Sequence, residues 1–190
     1  MSFWFPWRDH RPPFVYPVAT PLRAVVFEPL FRKSVRAAFV DPAAPDAAAQ
    51  VRRFGPAVLA GRLSTLLELA PRLETPPTHG IVVFTAEGGR CLSEVGRDAL
   101  WDAYQAPAFE QVITAEGALA AWECEAHDGL HLAPGAVATR CAVEDALCAC
   151  GKAGRRAIDP RIAPSFNPGT ALPSLLVPTR IESEARPIAT

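Results

Sequence analysis

The chain has 190 residues, 49% hydrophobic and 21% charged, with a formal net charge of −1. That length supports one domain with a proper core, and the absence of a basic stripe interleaved with aromatics excludes a nucleic-acid footprint. No apolar run approaches the ~20 residues that cross a bilayer, and MSFWFPWRDHRPP at the start lacks a signal peptide's apolar region, so the expectation is a cytoplasmic protein with no membrane partner.

Residues 1–21 hold five of the 20 prolines together with Phe3, Trp4, Phe5, Trp7, Phe14 and Tyr16. Proline fixes φ and removes a backbone donor, so this arm is predicted to be extended, with its aromatics laid against the domain or offered to a partner. Leu22 to Phe31 reads as a buried strand running into a turn near Pro29, and Ser34 to Val40 fits strand or helix. DPAAPDAAAQVRRF starts a helix with Asp46 at the N-cap.

An alternation follows. Ala57 to Gly61 is a short buried strand, and Leu63 to Leu73 is a helix from the spacing of Leu63, Leu66, Leu67 and Ala70. Gly80 to Phe84 is a second strand. Ser93 caps a helix to Tyr104 with apolar Val95, Leu100 and Trp101, and Ala108 to Ile113 is a third strand. This rhythm predicts an α/β fold, a mostly parallel sheet flanked by helices. After Gly117 the pattern turns antiparallel, and past Asp159 six further prolines mark residues 160–190 as a tail, with Leu172 to Val177 docking on the domain. The predicted organisation is an arm over 1–21, a single domain over 22–159 with an antiparallel module at about 117–155, and that tail.

The module carries the chemistry. Glu123-Cys124-Glu125-Ala126-His127-Asp128-Gly129-Leu130-His131 and Cys148-Ala149-Cys150-Gly151 together hold three of the five Cys and two of the four His. Thiolate and imidazole ligands in a set of four suit tetrahedral Zn²⁺. Asp128-Gly129 is a strong signal for a two-residue type I′ hairpin turn, which would pair His127 with Leu130 and Ala126 with His131. Alternation along the strand then puts Cys124 on the face of His131, and His127 on the other. Cys124, His131, Cys148 and Cys150 emerge as the ligand set of a structural zinc site. The competing readings are Cys as small buried hydrophobes and a disulfide; one intervening residue makes a Cys148–Cys150 bond strained.

The middle of the chain resembles the phenylacetate–CoA ligase branch of the adenylate-forming superfamily over roughly residues 50–158. RFGPAVLAGRLSTLLELA is similar to that family's strand–helix segment and VVFTAEGG to its strand ending in a Gly-rich turn with glutamate. ECEAHDGLH with CACGKAGRR resembles its Ala-x-Glu-Cys, Gly-Leu-His and Cys-x-Cys-Gly segments. The resemblance implies a structural zinc on the same four residues. It also implies an ATP site that this sequence lacks: no Ser/Thr/Gly-rich phosphate loop with its Lys is present. Val112-Ile113-Thr114-Ala115-Glu116 keeps only the glutamate of the tyrosine–glycine–x–threonine–glutamate motif. The ribose-binding aspartate and the mobile domain with the catalytic lysine have no counterpart. Adenylation needs positioned cations for phosphoryl transfer, so the expectation is a non-catalytic, zinc-stabilised accessory or binding protein. The alternative is an acyl-activating component completed by a partner chain.

Glu87 and Glu116 both follow predicted parallel strands, at the carboxyl ends where α/β folds bind ligands. They are the candidate ligand-binding residues, for a small acyl or aryl acid or for Mg²⁺, against the reading of solvated loop carboxylates. Cys91, beside Arg90 near a helix start, is a candidate for a lowered pKa, and Cys141 is expected to pack in a strand.

Overall fold

The computed structural model describes residues 14, 22–31, 36–115 and 117–166. Five strands run parallel, β1 (Ala24–Val26), β2 (Ala37–Phe39), β3 (Val58–Gly61), β4 (Gly80–Ala86) and β5 (Ala108–Ile113). Beyond β5 the sheet continues antiparallel through β6 (Leu119–Glu123), β7 (Leu130–Leu132), β10 (Arg155–Ile158) and β9 (Ala142–Asp145). The nine strands stand in the order β2-β1-β3-β4-β5-β6-β7-β10-β9. A separate ribbon joins β8 (Ala136–Val137) to β11 (Ser165–Phe166). The predicted α/β architecture with an antiparallel module is the one observed.

Among the described residues three helices lie against the parallel part, α1 (Ala47–Phe54), α2 (Leu63–Leu69) and α3 (Glu94–Tyr104). Ile81 and Val83 of β4 join Leu59 of β3, Val51 of α1, Leu66 of α2 and Leu100 of α3 in one cluster. The alternate residues Val82 and Phe84 join Val58, Ala60, Phe109 and Phe31 in another. Both faces of β4 are therefore covered, which is why GIVVFTA reads as an unbroken apolar run rather than an alternating one. On the second face Phe14 packs edge-on to Phe31, with ring centroids 5.7 Å apart. That contact places one aromatic of the N-terminal arm on the domain, as expected; the arm's other aromatics lie outside the described residues.

Local chemistry explains the helix ends. Ser93 Oγ accepts from Gly96 N at 3.2 Å and caps α3 as predicted. Leu100 and Tyr104 follow one another down its buried face, and the Tyr104 hydroxyl donates to Leu66 O at 2.5 Å, tying α3 to α2. Asp46 occupies the N-cap of α1, but its carboxylate accepts from Gln50 Nε2 at 2.8 Å instead of from a backbone N–H. The helix predicted to Leu73 ends at Leu69 and tightens into a 3₁₀ turn over Ala70–Arg72, because Pro71 supplies no N–H. Val95 and Trp101, expected on the apolar face of α3, are 78% and 52% exposed; Leu100 and Tyr104 supply that face.

Residues 160–166, expected to belong to the tail, stay with the domain. Ala163 N donates to Gly89 O and Gly88 N to Ala163 O, and β11 follows. The predicted docking segment at Leu172 to Val177 lies outside the described residues. Among the described residues no helix is long and apolar enough to cross a membrane.

Candidate metal centre

The antiparallel half of the sheet brings the four predicted donors together. Trp122 of β6 pairs with His131 of β7, which pairs with Arg156 of β10, which pairs with Glu144 of β9. Directly paired residues share a face, so this row of side chains projects from one side of the sheet. Cys124, two residues after Trp122, falls on the same side. Cys148 and Cys150 reach it from the β9–β10 connection, where Gly151 at φ +82° lets the chain reverse and Gly151 N donates to Cys148 O at 2.8 Å.

The predicted two-residue hairpin does not form. Glu123 pairs with Leu130, so β6 and β7 are joined by the six-residue loop 124–129. Among these residues, positive φ belongs to His127 (+50°) and Gly129 (+77°). A Cβ on Gly129 would stand 2.4 Å from Ala157 O, so its close approach to β10, not a type I′ turn, is what requires glycine. The residue opposite His131 is Trp122 instead of the predicted Ala126, a slip of four. Faces alternate with period two, so an even slip leaves Cys124 on the face of His131. The hairpin was misplaced, but the face assignment survives.

Cys124, His131, Cys148 and Cys150 offer four donor atoms that all lie within 4.8 Å of one another. Cys124 Sγ is 3.7 Å from Cys148 Sγ, and Cys150 Sγ is 3.5 Å from His131 Nε2. For a tetrahedral ion with Zn–S near 2.3 Å and Zn–N near 2.05 Å, the ideal edges are about 3.75 Å for S···S and about 3.55 Å for S···N. The two measured edges fit that ion. A disulfide would need about 2.05 Å between sulfurs, and all five cysteines are free. Cys124, Cys148 and His131 are buried and Cys150 is half-buried, leaving a site with four protein donors and little solvent access. Such a set suits a structural ion, because it leaves no open coordination position.

The electrostatics around the donors are uneven. Burial, helped by the Lys152 and Arg156 cations and opposed by Asp128, pushes the His131 imidazole below its usual pKa, towards the neutral form a metal needs. Burial pushes the Cys124 thiol up to about 12. Burial also acts upward on Cys148, but N–H and thiol hydrogen bonds from Cys150, the Cys124 thiol and the Arg156 guanidinium outweigh it and bring Cys148 below its ordinary value. The Trp122 ring stacks on His131 at 5.5 Å and fixes the plane of the imidazole. Arg156 NH1 lies 3.7 Å from Cys148 Sγ and donates to Asp128 O at 2.8 Å and to the Asp128 carboxylate.

On the opposite face of the sheet, Arg97, Trp101, Glu110, Glu123 and His127 line a cleft of about 640 Å³. Glu123 Oε2 accepts from Arg97 NH2 at 3.0 Å and from Glu110 N at 2.9 Å, and His127 Nδ1 meets Glu123 Oε1 at 2.8 Å. Glu110 Oε1 accepts from Thr85 Oγ1 at 2.8 Å and Leu92 N at 3.0 Å. Burial, outweighing these hydrogen bonds and Arg97, raises the Glu110 pKa. His127 thus turns away from the thiols, as predicted for the spare histidine. The buried carboxylates were not singled out from sequence; the signal was available as Glu110 and Glu123 at inward positions of otherwise apolar strands.

The other candidates are placed as follows. Glu87 follows β4 at its carboxyl end, and its Oε2 accepts from Phe166 N at 3.3 Å. Glu116 lies outside the described residues. Cys91 is not activated: burial, with Glu110 and Cys141 adding to it, pushes its thiol up to about 12. The cation that opposes this rise is Arg97, not the neighbouring Arg90. Cys141 immediately precedes β9 and is half-buried against the cluster that holds Val112, Leu130 and Leu132.

No family model matches the chain, and no curated protein matches it. Among solved structures it is similar to an open conformation of 2-hydroxyisobutyryl-CoA ligase in complex with 2-HIB-AMP and CoA. That match has a TM-score of 0.47 and 15% identity, and it covers 78% of this chain. It spans 44% of the ligase chain, less than half its length.

Proposed function

We propose that this protein is a zinc-stabilised α/β domain related to the adenylate-forming ligases, acting as an accessory or binding component instead of making acyl-adenylates. The observation that carries the zinc part is the spacing of the donors: 3.7 Å between Cys124 and Cys148 sulfurs and 3.5 Å between Cys150 Sγ and His131 Nε2. The four residues would hold the ion, which when bound supplies cross-linking free energy and no chemistry on a substrate. The chain's own residues tie β6, β7 and the β9–β10 turn into one unit. The sequence supports the accessory part: Val112-Ile113-Thr114 takes the place of the family's adenine-facing aromatic and its neighbours. Here Thr114 N donates to Ala118 O at 2.9 Å, and Thr114 Oγ1 accepts from Ala118 N at 3.2 Å, in the turn from β5 to β6. Its ligand is a protein partner or a small acyl or aryl acid held near Glu87.

Two measurements test this. Metal analysis of the purified protein should give one zinc per chain, reduced in Cys148→Ser and His131→Ala; undiminished zinc in both variants rules out this ligand set. ATP–pyrophosphate exchange across a panel of acyl and aryl acids should stay at background, and exchange by the purified chain alone defeats the accessory reading.

A further inference from the structure

Arg156 is buried between the two segments that carry the ligands, with its side chain 4% exposed. We propose that Arg156 sets how tightly this centre holds its ion and how inert its thiolates are, by compensating their surplus charge and by locking the 124–129 loop to the Cys148 turn. The inference rests on the zinc reading above. Three thiolates and a neutral imidazole on a divalent ion leave one net negative charge. With three of the four ligands buried, that charge is poorly solvated. Lys152 is the other cation nearby, but it is exposed and its Nζ stands 6.0 Å from the Trp122 ring centroid. Water screens it.

Arg156 has the required placement. It sits directly across the ladder from His131 on β7 and from Glu144 on β9. NH1 reaches Cys148 Sγ, and the same nitrogen donates to the carbonyl and carboxylate of Asp128, which lies in the loop between Cys124 and His131. NH2 donates to Glu144 Oε2 at 3.3 Å. One planar fork therefore joins both ligand segments to the edge strand, a task a point-charge ammonium cannot perform equally. Arg156 Nε is buried with no hydrogen-bond partner among the described residues. Burying that group costs free energy an apolar residue would not incur, so packing alone does not account for arginine here. An N–H donor on a metal-bound thiolate also withdraws charge from sulfur and slows its attack on electrophiles.

The test uses the full chain with Arg156→Gln and Arg156→Lys. Zinc affinity is read by competition with a chromophoric chelator, the thiolate-to-metal band by cobalt substitution, and thiolate reactivity by iodoacetamide on the zinc-loaded protein. Arg156→Gln should weaken zinc about 10–100-fold, as losing an outer-shell partner does, shift the cobalt band and speed alkylation at Cys148. Arg156→Lys should recover part of the affinity but not the protection from alkylation. A folded Arg156→Gln protein with wild-type affinity, spectrum and alkylation rate overturns the inference. If the Gln variant does not fold, the Lys variant decides: faster alkylation supports the inference, and wild-type values in all three measurements overturn it. Wild-type protein that takes up no zinc overturns the zinc reading as well, whereas a wild type that loads beside an equally tight Gln variant overturns this inference alone.

Discussion

Stripping the metal should loosen one identifiable segment before it unfolds the domain. Residues 146–154, between β9 and β10, bury a single side chain, that of Cys148. Within this turn Cys148 N donates to Lys152 O at 2.9 Å and Gly151 N to Cys148 O at 2.8 Å. Two hydrogen bonds contribute about 1–3 kcal/mol net, little against the entropy of ordering such a turn at about 1–2 kcal/mol per residue. Beside the Arg156 contact to Cys148, a bound ion would on the proposed reading supply most of what holds the turn. By linkage, free zinc at a thousandfold over its Kd stabilises the native state by about 4 kcal/mol. At about 2–4 °C per kcal/mol for a chain of this size, that shifts Tm by about 8–16 °C. Scanning calorimetry with zinc and with chelator reads the shift, and amide exchange should show the first loss of protection at 146–154. Equal Tm in both conditions, with unchanged protection of that turn, would falsify the argument that a cation closes the site.

Zinc affinity should rise with pH. The Cys124 thiol, near 12 without metal, is protonated at neutrality and must lose its proton on binding. At least one proton per ion is therefore displaced, about tenfold in affinity per pH unit; calorimetry in buffers of different ionisation enthalpy counts the protons, and a count of zero refutes this. Glu110→Gln should stabilise the protein at pH values above the ordinary carboxylate range. The folded carboxyl has a raised pKa because it is buried, so its ionisation opposes folding increasingly as pH rises from the unfolded pKa through the folded one. Urea unfolding at pH 4 and pH 8 should show a gain confined to the higher value. Gly129→Ala should cost about 1–3 kcal/mol, since it meets both a positive φ of +77° and a Cβ 2.4 Å from Ala157 O; an unchanged urea midpoint would contradict the observed loop.

Sequence was most informative where a local rule and the tertiary environment agree. The parallel strands and the cap at Ser93 were legible because Ile81 to Phe84 are apolar on both faces and a serine hydroxyl satisfies an N–H that no helix neighbour can. It was least informative at loops. Asp128-Gly129 carries the strongest hairpin signal in the chain, yet Gly129 spends its conformational freedom on passing close to β10, a strand that begins 26 residues later.

The amino-acid order by itself pointed to the four donors that come together: soft donors are few, and period-two alternation assigns Cys124 and His131 to one face whichever even register the strands adopt. Only the tertiary structure decided the register, the Trp122 ring against His131, the reach of Arg156 to Cys148 and the burial of Glu110 and Glu123 behind them. Each of these depends on which distant strands become neighbours, and that is settled by how the whole sheet buries its apolar surface, a property no short window of sequence contains.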